Sequence, residues 1–271
     1  MNPLFWLDLR LRVRERRLWV IAGFFVLMLA AIAGLCAAAG WATPSAWMLQ
    51  RDPAETGSTL AWATLCCQGG LLLLLAPLAS AGRLSQEREQ RTLPALVNSP
   101  LSAGRIARGK LWGAWSFTLW LGVLALPFLS VAGLWGGVSV LALVLGFVLN
   151  LLMGLTLATL ALGLSGLFGR SLTAYLATGA LLFFWNVAWP LIGAVGIGMS
   201  GAHDESAVIA AGYVFWYHVP LYPVIALMIR EGGDRLPPGG WLTIVYAVGV
   251  WTLLAVAGYR LAVRGLKREV Y

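Results

Sequence analysis

Six long apolar runs, at about residues 18–40, 60–82, 111–132, 138–168, 172–199 and 241–262, leave this chain little room to be anything but a bundle of membrane-crossing helices. A spanning helix takes roughly 20 mostly apolar residues. In hydrocarbon every backbone N–H and C=O must be paired inside the protein, and a helix does this within one segment. Apart from Arg260 at the inner end of the last, the runs hold no Asp, Glu, Lys, Arg or His. Only 11% of the 271 residues are charged, against about 25% in an ordinary soluble domain. The expectation is an all-α membrane protein of six transmembrane helices forming one domain over residues 1–271, without internal repeats.

Charge placement orients the bundle. With the amino terminus inside, the inner segments carry sixteen of the nineteen basic residues: Arg10, Arg12, Arg14, Arg16 and Arg17, six in the loop after the second run, Arg170, and Arg260, Arg264, Lys267 and Arg268. The outer segments keep Arg51, Arg230 and Arg235 beside six acids, Asp52, Glu55, Asp204, Glu205, Glu231 and Asp234. That asymmetry follows the positive-inside rule and places both termini in the cytoplasm. The basic balance therefore points to anionic lipid at the inner leaflet, not to nucleic acid. Arg outnumbers Lys in an Ala- and Gly-rich chain, which suggests a bacterial source with GC-rich DNA and hence the cell (inner) membrane.

Along the chain, residues 1–17 mix leucines and arginines, with Arg10, Arg14 and Arg17 on one stripe, and suit a helix lying in the inner interface. The following apolar run exceeds the core of a cleavable signal peptide and reads as a retained first span. Residues 41–59 are expected to be an outer loop. Gly133–Gly137 should join spans three and four outside, and Gly169–Ser171 spans four and five inside. Residues 200–240 are apolar in the middle but broken by Pro220 and Pro223, and charge bias makes them a re-entrant outer helical hairpin that dips into the membrane without crossing it.

The one long polar interruption is residues 83–110. It carries Arg83, Arg88, Arg91, Arg105, Arg108 and Lys110 against Glu87 and Glu89. The second span's helix is expected to run on to Arg91. Thr92 would cap a short helix with Pro94 in its first turn and Ser99-Pro100 at its end. Ser102 would cap the third span.

Chemical constellations are sparse. Gly104-Arg-Ile-Ala-Arg-Gly109-Lys110 mimics a phosphate-binding loop, but Leu111 stands where Ser or Thr would hold Mg²⁺, and no strand precedes it. His203 and His218 are too isolated for a metal site. Cys36, Cys66 and Cys67 sit in apolar runs as small hydrophobes. No catalytic residue is assigned, and no cofactor is expected in this chain. Gln68, Asn150 and Asn186 are the strongly polar side chains deep in spans. They are weak candidates for a substrate path and better ones for interhelical hydrogen bonds. A proton-driven carrier is poorly supported without intramembrane charges.

The string Glu87-x-Glu89-x-x-Thr92-Leu93-x-x-Leu96-x-x-Ser99-Pro100, followed by Ile106-x-x-Gly109-Lys110, resembles the cytoplasmic loop of ABC-2 type transporter permeases, the membrane subunits of a class of ABC exporters. Asn2-Pro3 through Arg17 is similar to their elbow helix, and Pro220-Leu-Tyr-Pro-Val-Ile-Ala-Leu227 to their outer segment. Pro94 departs from the family, which often carries Glu there. The resemblance implies two permease copies, as homo- or heterodimer, with two copies of a separate ATPase subunit that binds ATP and Mg. It implies a cytoplasmic coupling helix over Arg91–Pro100 between spans two and three, with Glu87, Glu89, Arg91, Thr92, Leu93, Leu96, Ser99, Pro100, Arg105 and Lys110 toward the ATPase. Uncharged spans suit an apolar or amphipathic cargo. The alternatives are a non-transporting scaffold that passes force from an ATPase to an outer accessory protein in cofactor or envelope assembly and, behind it, a secondary carrier.

Overall fold

The structure, a computed structural model, describes residues 16–42, 53–93, 101–200, 219, 221–231 and 241–268. Every element within them is helical: α1 (Arg16–Ala42), α2 (Pro53–Ala81), α3 (Arg83–Glu89), α4 (Ala103–Trp135), α5 (Val140–Leu167), α6 (Ser171–Phe183), a π-helical turn (Phe184–Ala188), α7 (Trp189–Ser200), α8 (Tyr222–Glu231) and α9 (Trp241–Lys267). Five stretches are long and apolar enough to cross a membrane: 54–89, 103–135, 140–167, 171–196 and 244–267. Trp19–Leu35, within α1, is a shorter apolar helix. Residues 1–15, with Arg10 and Arg14, lie outside the described residues, as do Leu96, Ser99, Pro100, His203 and His218.

Helix α5 is the hub. It packs on α2, α4, α6, α8 and α9, and it is apolar on all sides, the pattern of a helix surrounded by others. Phe25 and Leu29 of α1, Leu65 and Leu72 of α2, Leu121 of α4, Met153 and Leu157 of α5 and Trp251 of α9 fill the main core. A second apolar cluster lies toward the basic end of the bundle, where Leu84, Leu93, Ile106, Leu162, Ala262 and Leu266 meet.

The tightest contact is between α5 and α9. Small residues at matched spacing, Thr159, Gly163 and Gly166 on one helix and Gly258, Ala262 and Gly265 on the other, bring the two backbones together. A Cβ on Gly258 would stand 2.7 Å from the Thr159 carbonyl oxygen, and one on Gly163 would stand 3.0 Å from the Gly258 Cα. Helices in lipid gain little from hydrophobicity against each other, so close van der Waals approach over small residues is what holds them.

Helix ends differ from the expected loop boundaries wherever polar residues continue a helix. Residues 53–59, expected in an outer loop, are the first two turns of α2. Pro53 starts that helix without an N–H to lose, and the Ser58 and Thr59 hydroxyls both donate to the Glu55 carbonyl at 2.9 Å. The α4–α5 connection begins only at Gly136, because the helix runs on through Gly133 to Trp135. Gly136 and Gly137 have φ of 86° and 82°, a region glycine enters without a Cβ clash. A side chain on Gly137 would also strike the Ala54 carbonyl.

Candidate functional site

The polar stretch that interrupts the apolar runs is folded back onto the bundle's basic end. Helices α2 and α3 are nearly continuous, broken at Gly82, where a side chain would collide with the Tyr175 ring. The break frees the N–H groups of Leu84 and Ser85, which a continuous helix would have paired. Both donate to Ser165 Oγ on α5, at 3.0 and 3.1 Å, and this hydroxyl is fully buried. Ser165 thus caps α3 from eighty residues away.

Arg88 makes the next tie. Its Nη1 donates to the Phe168 carbonyl at 2.8 Å, and its Nη2 to the carbonyls of Gly166 at 2.8 Å and Gly265 at 3.1 Å. One guanidinium therefore caps the carboxyl end of α5 and clips it to α9. A cation at those carbonyls also meets the negative end of the helix dipole.

Glu89 does the opposite chemistry one residue on. Its Oε1 accepts from the Ser171 backbone N–H at 2.9 Å and its Oε2 from the Ser171 hydroxyl at 2.6 Å, so a carboxylate holds the amino-terminal end of α6. Glu87 pairs with Lys110 of α4. Residues 84–89 are in this way fastened to α4, α5, α6 and α9.

α3 ends in a Schellman-type turn. The Arg91 N–H returns to the Arg88 carbonyl at 3.0 Å and the Thr92 N–H to the Glu87 carbonyl at 2.9 Å. This needs a left-handed residue after the helix, normally glycine, and here Arg91 takes it with φ of 55°. The Thr92 hydroxyl also donates to the Glu87 carbonyl, at 3.2 Å, and so ties Thr92 to the preceding helix, while Leu93 directly after it is again helical.

The residues that sequence reasoning assigned to an ATPase contact therefore divide. Arg91, Thr92 and Arg105 are exposed. Leu93 is 1% exposed and packs into the second apolar cluster. Glu87 and Lys110 face each other, and Glu89 holds Ser171. The side chain of Arg17 is outside the description. Segment 104–110 is regular helix at the start of α4, with Gly109 buried, so no phosphate loop forms there. Ser102 occupies the N-cap position of α4 and accepts the Arg105 and Ile106 N–H groups through its backbone carbonyl.

The deep polar residues also separate. Gln68 and Asn150 are both fully buried and meet across α2 and α5: Asn150 Nδ2 donates to the Leu65 carbonyl at 2.9 Å and to Gln68 Oε1 at 3.3 Å. Asn186 sits in the π-helical turn and donates back to the Leu182 carbonyl at 2.9 Å. Near Gln68, Leu221 packs where a side chain on Gly69 would go, while Met228, on the helix that follows, reaches a cavity of about 500 Å³ lined by Ser58, Thr59, Trp62, Ala63, Cys66 and Gly137. No cluster of metal-ligating side chains occurs among the described residues.

Sequence reasoning missed Ser165 and the roles of Arg88 and Ser171. The arginine was visible as a basic residue of the loop, but its acceptors are main-chain carbonyls and leave no side-chain signature. A family model described as ABC-2 family transporter protein matches residues 2–260. Comparison with curated proteins gives no match.

Proposed function

The chain belongs to the ABC-2 transporter family, and from that premise we propose that it is the membrane subunit of an ATP-driven exporter, paired with a second permease copy and two copies of a separate ATPase. The ATPase carries the ATP and Mg, and this chain converts its closure into movement of helices. The chain then crosses the inner membrane six times with both termini in the cytoplasm. Segment Arg91–Pro100 is the coupling helix that the ATPase grips, and residues 1–17 lie beside it in the interface.

One observation carries this reading: the segment just before the coupling helix is tied by side chain to the ends of α5, α6 and α9, with Arg88 alone reaching three carbonyls on two helices. A ligand-driven change in a partner moves a protein only through contacts that differ between two states. Displacement of segment 91–100 by the ATPase is thereby passed to three membrane helices at once. The outer segment is a re-entrant hairpin in this reading, supported by the span from Leu221, against the middle of α2, to Met228, near its outer end. The largely apolar cavity at Met228 suits an apolar or amphipathic cargo.

The test is Leu96→Asp in the coupling segment, in the complex with its ATPase. We expect transport to fall to background while the permease still inserts and elutes as a single species. Undiminished transport by Leu96→Asp would remove the coupling role. Stable ATPase binding by the parent chain without any cargo movement would favour the scaffold reading.

A further inference from the structure

The inner end of α9 carries four cations on one face. Arg260, Arg264, Lys267 and Arg268 are all exposed, and at 3.6 residues per turn they fall within about 100° of arc. The small residues that seat α9 on α5, Gly258, Ala262 and Gly265, lie on the far side of the helix, so the basic stripe points away from the fold. The acids with described side chains, Glu55, Glu87 and Glu89, are engaged elsewhere or sit at the other end of the bundle. Above the stripe, on the same face, Leu242, Val245, Leu253 and Val256 form an exposed apolar lane.

We infer that this face of α9 is a binding site for an anionic phospholipid, its acyl chain lying along Leu253 and Val256 and its phosphate held by Arg260, Arg264, Lys267 and Arg268. Two features choose lipid over protein. Counting from Ile244, Arg260 comes after about 24 Å of helix, inside the roughly 30 Å of hydrocarbon, so its head group is reached through the lipid layer and snorkels to the phosphates. A water-soluble partner does not approach at that depth. A second copy of this chain docking symmetrically on the same face would oppose Arg260 and Arg264 to their own equivalents, and like charges facing each other across an interface disfavour it.

Helix α4 supplies the other wall. The Tyr259 hydroxyl donates to the Gly104 carbonyl at 3.2 Å, and Arg108 Nε donates to the same oxygen at 3.3 Å. Arg108, which is exposed, therefore stands beside Tyr259, the residue before Arg260, with Trp112 one turn further along α4. Basic pockets between spanning helices with an aromatic at the interface are the form that anionic headgroup sites take. The site is independent of how the ATPase drives transport. The proposed inward orientation enters only in naming the leaflet that supplies the lipid.

The experiment reconstitutes the full chain in bilayers of phosphatidylcholine and phosphatidylglycerol and measures, by spin resonance, the fraction of spin-labelled phosphatidylglycerol and of spin-labelled phosphatidylcholine immobilised on the protein. We expect phosphatidylglycerol to be enriched on the order of tenfold over bulk, since basic residues beside the bilayer attract anionic lipid. The combined R260Q, R264Q, K267Q and R268Q variant should fall to near the bulk ratio, and the matching variant with Arg260→Lys, Arg264→Lys and Arg268→Lys should keep the enrichment. If the fourfold variant does not give a monodisperse protein, R260Q with R264Q alone is read, with loss of at least half the enrichment expected. Equal immobilisation of the two lipids by the parent chain overturns the site. So does enrichment that survives the glutamines, or a variant that sheds the ATPase while its lipid ratio is unchanged.

Discussion

Arg88 is the residue on which most of the inner architecture converges. Its planar fork reaches three carbonyls with fixed geometry, which the point charge of a lysine cannot reproduce. Charge-assisted hydrogen bonds contribute about 1.5–3 kcal/mol each, and the half-buried site leaves the carbonyls poorly hydrated once the donor is gone. Arg88→Met keeps the apolar stem and should cost about 2–4 kcal/mol, with Arg88→Lys recovering only part of it. Thermal unfolding in detergent, followed by far-ultraviolet circular dichroism, measures this; equal midpoints for parent and Arg88→Met would show that the three bonds contribute nothing net. Little of this was legible beforehand. Glu87 and Glu89 stood out in the sequence as charges, but their partners Lys110 and Ser171 lie 23 and 82 residues on, and nothing local distinguishes a solvated acid from one that caps a distant helix.

At the scale of elements, the apolar runs announced the long helices because hydrocarbon admits few alternatives, and α4, α5 and α9 stand where those runs do. The ends were harder. Pro53–Thr59, Ala103–Lys110 and Arg260–Lys267 are polar or charged yet helical, since a helix outlasts its greasy middle once its own hydrogen bonds are in place. The seam between α5 and α9 was written in the sequence as two sets of small residues with the same spacing, but the chain has 32 glycines and gives no sign of which face which. Gly258→Leu would push those backbones apart, and overpacking of this kind costs about 1–3 kcal/mol or more. Gly249→Ala, on the same helix with open space around it, should be neutral or raise stability by up to about 1 kcal/mol. Melting temperatures of the two variants, compared with the parent, decide the matter: similar midpoints would mean that the seam does not hold the helices.

For the whole molecule, the strongest legible signal was the uneven distribution of basic residues, and those with described side chains, from Arg83 to Arg268, gather at one end of the bundle. Thr92 lies at that end and Ser58 at the other, two exposed or partly exposed positions on one nearly continuous rod. In a background with Cys36, Cys66 and Cys67 replaced by alanine, Thr92→Cys should react with a membrane-impermeant maleimide only in inside-out vesicles and Ser58→Cys only in intact cells or spheroplasts. Labelling of both from the same side would invert or break the topology.

The glycine contacts between the α5 and α9 backbones lie at 159–166 and 258–265, close to the basic end, and about two turns further along the Thr156 hydroxyl donates to the Trp251 carbonyl at 3.4 Å. From Trp251 to Leu242 about 14 Å of α9 extends past that tie. Arg88 bonds Gly166 and Gly265 within the glycine contact, so the clip holds the seam at its inner end, and a tilt of α9 by roughly 10° about the Trp251 tie would move the outer tip by about 2 Å.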